Sequence, residues 1–193
     1  MPAMAVDWPA YYAATLRKPL HPMYANLEPH LPPPGLAYEL GCGVGHGVLW
    51  LLSRGWRVRA VDSQPEAIEI LRSRLPEGAR CEVAVARLQD LYFEPCRLVV
   101  AGFSLFFLPP EEFGACWARL ADAIEPGGAF MGQFLGVRDA WSGRGYSQHD
   151  AAQVRTLLGP FETLYYEEAE RDGETATGEG KHWHVFHVLA RKR

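Results

Sequence analysis

The stretch YELGCGVGHG (Tyr38–Gly47) places glycine at every second position, at Gly41, Gly43, Gly45 and Gly47. Glycine is entropically costly to order, so such a cluster marks a backbone that turns tightly or is closely approached. LAYEL (Leu36–Leu40) precedes the glycines and reads as a short apolar strand. HGVLWLLSRG follows and reads as a helix with Val48, Leu49, Leu51 and Leu52 on its buried side. Gly55 stands where a helix-terminating glycine belongs. In such a strand–loop–helix unit a ligand sits beyond the strand end, against the helix N-terminus.

Spacing narrows the ligand. A phosphate-cradling GxxxxGK[ST] is absent. A dinucleotide fingerprint needs a glycine three residues after its second one; from Gly41 and Gly43 that residue is His46, and from Gly43 and Gly45 it is Val48. Glu39 stands before the glycines, where it would repel a pyrophosphate and suit a ligand bearing a positive charge. A second strand, RVRAVD (Arg57–Asp62), ends in a carboxylate able to accept two hydrogen bonds from a ribose diol. The plainer role for Asp62 is to cap the start of the next helix. A ribose and a cation in one pocket describe S-adenosylmethionine better than a nicotinamide dinucleotide.

Outward from this unit, strands and helices alternate. SQPEAIEILRSRL reads as a helix with a capping box from Ser63 and Glu66, and Arg80–Ala86 as a third strand. Cys96–Phe103 reads as a fourth strand and PPEEFGACWARLADAI as a helix. PGG (Pro126–Gly128) reads as a turn before a fifth strand, Ala129–Leu135. DAAQVRTLL is a short helix, and ETLYYEEAE and HWHVFHVLARK are two last strands with no helix between them. The pattern predicts an α/β fold: a doubly wound, mostly parallel, Rossmann-like sheet ending in an antiparallel hairpin. Before PPPG, an aromatic and proline-rich segment (residues 1–34) reads as a helical lid broken at Pro19, Pro22 and Pro29; residues 35–193 form the ligand-binding domain.

The chain has 193 residues, a net charge of −4 and a pI near 6.0, a balance that argues against a nucleic-acid partner. No apolar run reaches the roughly 20 residues that span a bilayer, so no membrane partner is expected. MPAMAVDW lacks the pattern of a secretory signal. Four irregularly spaced cysteines form no CxxC pair and point to a cytoplasmic protein with reduced thiols.

ELGCGVG followed by AVD resembles the first two motifs of class I S-adenosylmethionine-dependent methyltransferases, from about Leu36 to the C-terminus. W-x-x-YY at Trp8, Tyr11 and Tyr12, FSLFFLPPEEF, GGAFMGQFLGVRDAW and KHWHVFHVLARK resemble a narrower group of small methyltransferases that includes the tellurite-resistance type. The resemblance implies a seven-stranded sheet of order 3-2-1-4-5-7-6 and S-adenosyl-L-methionine as cofactor. It implies a glycine loop against the methionine moiety, with Asp62 on the ribose. The cofactor set expected on this basis is Glu39, Gly41, Cys42, Gly43, Gly45, Asp62, Ser63, Leu88, Gln89, Gly102 and Phe103. The acid that many members place after strand three is Arg87 here, which shifts the adenine contact to Leu88, Gln89 or Asp90.

Tyr11 and Tyr12 read either as lid packing or as aromatic faces over a sulfonium. Arg138, Asp139 and Trp141 follow the fifth strand, as a surface ion pair or as pocket residues. In HWHVFH, His182 and His184 share one face and His187 the other; two histidines without a third ligand make a poor zinc site, so no metal is expected. His182 is the candidate base and Trp183 a candidate substrate contact at that end of the sheet. The expected activity is methyl transfer to a small molecule by a monomer or homodimer. A non-catalytic cofactor-binding regulator is the alternative. A nucleic-acid methyltransferase is disfavoured, because AGFSLFF stands where an N/D-P-P-Y motif would be needed.

Overall fold

The computed structural model describes residues 6–193. The first five residues of the lid and of the MPAMAVDW reading therefore lie outside the described residues. Helices α1 (Trp8–Thr15) and α2 (Met23–Leu27) lead to strand β1 (Leu36–Leu40). Then come α3 (His46–Leu52), β2 (Arg57–Asp62), α4 (Pro65–Arg74), β3 (Cys81–Val85), β4 (Cys96–Ala101) and α5 (Pro110–Ala123). The chain closes with β5 (Ile124–Gly136), β6 (Gln148–His149), α6 (Ala151–Leu157), β7 (Phe161–Glu174) and β8 (Gly180–Lys192).

The main sheet runs β3-β2-β1-β4-β5-β8-β7, and the two-residue β6 pairs with β5. Without β6 this is the expected 3-2-1-4-5-7-6 order. Strands β1 to β5 are parallel to their neighbours, whereas β8 is antiparallel to both β5 and β7. β6 is too short to leave an alternation in the sequence. All five residues of β1 are buried, as a central strand covered on both faces requires.

Each face has its own core. Phe113, Cys116, Trp117 and Leu120 of α5 pack on Tyr38, Val99, Phe130 and Phe186. On the other face Met23, Tyr24 and Leu27 of α2 and Val48 and Leu51 of α3 pack on Ala37, Leu98, Val100, Met131 and Leu189. Each fully buried large side chain contributes about 1.5–3 kcal/mol. The parallel crossovers bring the loops after β1, β2 and β4 to one edge of the sheet, where ligands bind in doubly wound folds.

Three local expectations are corrected. In α3 the inward positions are Gly47, Val48 and Leu51, while Leu49 and Leu52 are only half-buried. Helix α4 has no Ser63–Glu66 capping box: Gln64 is its N-cap, and Asp62 Oδ1 accepts the Gln64 N–H at 3.0 Å. PGG is not a turn before β5 but lies inside it. β5 starts at Ile124, Gly127 takes φ +79°, and the β4–β5 register shifts there.

Helix α6 does carry a complete capping box, between Asp150 and Gln153. Asp150→Ala removes it far from the glycine loop. The expected loss is about 1 kcal/mol of unfolding free energy in urea titration, with an unchanged m-value.

Candidate active site

The four glycines of the loop divide by what stands opposite them. A Cβ on Gly41 would lie 2.5 Å from Ser104 Cβ, and one on Gly45 would lie 2.4 Å from Leu71 Cδ1. A Cβ on Gly47 would lie 2.0 Å from the Tyr24 hydroxyl and 2.5 Å from Glu39 Oε1. These three glycines admit the protein's own atoms. Gly43 differs: it takes φ +50°, and nothing stands within 4 Å of its absent side chain. Gly102, after β4, also faces open space.

Two carboxylates hold this loop. Asp62 Oδ2 accepts the Gly43 N–H at 2.9 Å, while Oδ1 serves Gln64. Asp62 therefore does not cap α4, whose N-cap is Gln64; it ties the residue before the helix and the loop together through one carboxylate. Burial raises the Asp62 pKa, and its backbone hydrogen bonds oppose that rise. Glu39 is buried under the loop, with Oε1 accepting the Tyr24 hydroxyl at 2.6 Å and Oε2 buried without a hydrogen-bond partner. Burial pushes its pKa up to about 8, against the lowering effect of Tyr24. An unpartnered buried carboxylate oxygen is costly unless something pairs with it, and a cation does so best.

α1 lies across this edge. Tyr12 is 1% exposed and clusters with Val44 of the loop and Ala67 of α4. Trp8 reaches the far side, 5.6 Å from Phe107 between ring centroids. Tyr11 packs in the same cluster. The packing reading of both tyrosines is realised, yet the Tyr12 hydroxyl is buried without a hydrogen-bond partner. Cys42 is buried, and burial with nearby Asp62 and Glu39 raises its thiol pKa.

The residues expected near the adenine already have partners within the protein. Ser63 is exposed. The Leu88 carbonyl accepts from Cys116 at 3.4 Å, the Gln89 carbonyl accepts from Arg119 at 2.6 Å, and Asp90 pairs with Arg87 at 2.8 Å.

After β4, Phe103 takes φ +54°, alone in positive φ among the described non-glycine residues. Its N–H donates to Gln133 Oε1 at 2.8 Å. A non-glycine residue holds such a conformation only where its surroundings enforce it. Trp183 stands 6.0 Å from Phe103 and 5.7 Å from Trp141. Lys181, buried, pairs with buried Asp139 and lies 3.5 Å from the Trp183 ring. Asp139 thus belongs to neither expected setting: it is an interior anchor.

Arg138 and His182 are placed apart from this edge. Arg138 pairs with Glu168 and Glu170 at 3.0 and 2.8 Å, the surface ion-pair arrangement. His182 Nδ1 lies 2.7 Å from Asp172 Oδ1, and the two carboxylates of β7 raise its pKa. Alternation along β8 turns His182 and His184 to one face and Trp183 and His187 to the other, and it is the second face that meets Phe103. The raised pKa favours the protonated ring, and His182 stands on the face of β8 turned away from Phe103. Tyr24, Ser104, Gln133, His21 and His187 were absent from the expected set. Of these, His187 in HWHVFH and Gln133, a lone amide in an apolar strand, left a sequence signal.

Residues 37–128 match the family described as a methyltransferase domain. The chain carries a class I S-adenosyl-L-methionine-dependent methyltransferase domain. A carboxy-S-adenosyl-L-methionine synthase of Chromohalobacter salexigens is 30% identical over 152 residues, which cover 68% of this chain and 56% of that protein. The chain spans about half the length of the curated relatives it matches. TehB of Haemophilus influenzae superposes with a TM-score of 0.72 at 18% identity, over 98% of this chain and 63% of that one. A Burkholderia thailandensis 1,6-didemethyltoxoflavin-N1-methyltransferase, solved with that compound and S-adenosylhomocysteine, gives 0.66 at 23%, over 96% and 79%. At those identities the two structures show a shared fold.

The residues present fit the cofactor. Gly43 leaves room at the loop, and the unpartnered oxygen of Glu39 suits an ammonium group. Among the described residues no three His, Cys, Asp or Glu side chains converge as a metal site, and no helix is long and apolar enough to cross a membrane.

Two outcomes are expected here. Gly47→Ala breaks the Tyr24–Glu39 contact and lowers unfolding free energy by roughly 2–3 kcal/mol. Gly43→Ala costs only about 1 kcal/mol of fold stability, yet weakens S-adenosylhomocysteine binding more than about tenfold by calorimetry. Glu39 also sets a pH dependence. Its folded pKa lies above the usual 4.5, so the protonated acid is favoured in the fold and stability falls as pH rises from 4.5 to about 8. The slope is at most about 1.4 kcal/mol per pH unit, and Glu39→Gln flattens it in urea titrations across that range.

Proposed function

We propose that this protein methylates a small molecule, using S-adenosyl-L-methionine held under a lid formed by the segment before residue 35. The lid carries the reading: Tyr12 packs against Val44 of the glycine loop and Ala67 of α4, so the N-terminal segment covers that side of the loop. The B. thailandensis neighbour, with its low-molecular-weight acceptor, supports the same class. Four free cysteines, three of them buried, support work in the cytoplasm.

The cofactor supplies a methyl carbon already activated by positive sulfur. The chain's own residues supply position. Gly43 lets the backbone approach, and Asp62 fixes that backbone and offers its remaining lone pairs to ribose hydroxyls. Glu39 pairs with the ammonium end. Phe103 and Trp183 border the side from which the acceptor approaches, and Trp8, Tyr11 and Tyr12 exclude water. Orientation of this kind contributes most where the reagent carries the chemistry.

The test is turnover of labelled S-adenosyl-L-methionine with thiols, selenite, tellurite and small carboxylates. Methylated product is expected from at least one class. Tight S-adenosylhomocysteine binding with no product from any class would instead favour a non-catalytic binding protein. Asp62→Ala is expected to weaken S-adenosylhomocysteine binding by roughly 10–100-fold, since it removes both the ribose acceptor and the Gly43 tether.

A further inference from the structure

Two histidines that the expected set omitted meet at the acceptor edge. His21 lies in the lid between α1 and α2, and His187 lies on β8. Their rings stack at 6.3 Å between centroids, with planes 18° apart. Both rings stand edge-on to Phe103, at 5.4 and 6.0 Å. Phe103 is the strained residue between Gly102 and Ser104, and Ser104 touches Gly41 of the cofactor loop. The pair therefore flanks the place where cofactor and acceptor meet.

A hydrogen bond fixes the tautomer of neutral His21, whereas the contacts of His187 Nδ1 admit either tautomer. The Met23 N–H donates to His21 Nδ1 at 3.2 Å, so neutral His21 carries its proton on Nε2. His187 Nδ1 lies 3.2 Å from Met23 Sδ, and 3.5 Å from the Gln133 amide nitrogen, at the outer limit for a hydrogen bond. Gln133 Oε1 is taken by the Phe103 N–H, and its amide nitrogen also donates to Met23 Sδ. We assign the His187 proton to Nδ1, donated to sulfur, which leaves a lone pair on Nε2. One ring of the stack then offers a donor and the other an acceptor.

The surroundings keep both rings neutral at neutral pH. Burial lowers each pKa, and each ring feels Arg171; for His21 the other histidine lowers it further. Glu167, opposite His187 on β7, opposes the shift without reversing it. Arg171, on the same face opposite Trp183, places a positive charge near any anion formed there.

We propose that His187 is the general base of the methyl transfer and His21 its hydrogen-bonding partner. The acceptor is then a planar molecule whose reacting heteroatom carries a weakly acidic hydrogen, such as a phenol or a heteroaromatic N–H. The proposal rests on the methyltransferase reading above. The acceptor's proton passes to His187 Nε2, and the heteroatom's electron pair forms the bond to the methyl carbon. The carbon–sulfur bond breaks with its electrons left on sulfur. S-adenosylhomocysteine, methylated acceptor and one proton, released from His187 to water, balance the reaction.

The experiment compares wild type, His187→Gln and His21→Gln on two sets of probes. 2-Naphthol and phenol carry their proton at neutral pH; thiophenol and selenite are already ionised at mildly alkaline pH. For the protonated probes, His187→Gln is expected to lower kcat by about 10²–10⁴-fold, and His21→Gln by less. Turnover of the ionised probes and S-adenosylhomocysteine affinity are expected to stay unchanged, the latter showing that the variants fold. Protonation of His187 switches the base off, so wild-type kcat/KM falls on the acid side of 6.5, and His187→Gln lacks that limb. Equal losses on both probe sets, or no loss, would overturn the base assignment and leave the methyltransferase reading standing. A wild type that methylates no probe of either set would overturn both.

Discussion

The hydrogen bond from Tyr24 to Glu39 is where the N-terminal segment, sheet and glycine loop meet. Tyr24 comes from α2, Glu39 from β1, and Gly47, whose missing side chain makes room for both, from α3. The bond is short and fully interior. It leaves one carboxylate oxygen unpaired in a medium that penalises charge, which is why the acid holds its proton towards about pH 8. A cation arriving at the loop repairs that deficit. The anchoring of α2 therefore draws on the carboxylate proposed to meet the cofactor. The cost of burying Glu39 is not repaid by folding alone.

That coupling explains why some of the molecule was legible in the sequence and some was not. Strands β1 and β2 lay where alternation and apolar runs placed them, because buried parallel strands show themselves through continuous hydrophobicity. The glycine register disfavoured a dinucleotide by spacing alone, and the family match agrees with S-adenosyl-L-methionine. What spacing could not separate was the reason for each glycine. Gly41, Gly45 and Gly47 yield to Ser104, Leu71 and Tyr24, residues distant in sequence, and only Gly43 faces open space. Likewise the Ser63–Glu66 pattern predicted a capping box by local rule. Asp62, held at the end of β2, reached the Gln64 amide instead. Local propensity lost to a side chain that the sheet had already fixed.

The C-terminal hairpin shows the same limit more sharply. The alternation of HWHVFH correctly put His187 opposite His182 and His184, but nothing in the sequence told which face would meet the cofactor edge. β7 decides it. Its register places Asp172 across from His182 and Glu170 across from His184, so one face becomes an ion-pair surface with Arg138. The other face, with Trp183 and His187, turns to the lid side and Phe103. A one-residue slip of this hairpin would exchange the two faces.

Lys181 and Asp139 guard against such a slip. A buried ion pair is weak evidence for net stability, because desolvating both charges costs about as much as their attraction returns. Its geometry here is nonetheless specific. Asp139 accepts from Lys181 with Oδ1 and from the His184 N–H with Oδ2, while Lys181 lies over the faces of Trp141 and Trp183. A shift of β8 by one residue would carry Lys181 out of this aromatic setting and leave Asp139 buried with its charge unmatched, an arrangement far costlier than the native one. The pair thus acts by penalising the wrong register more than by favouring the right one. In doing so it keeps Trp183 and His187, rather than His182 and the acids of β7, against Phe103.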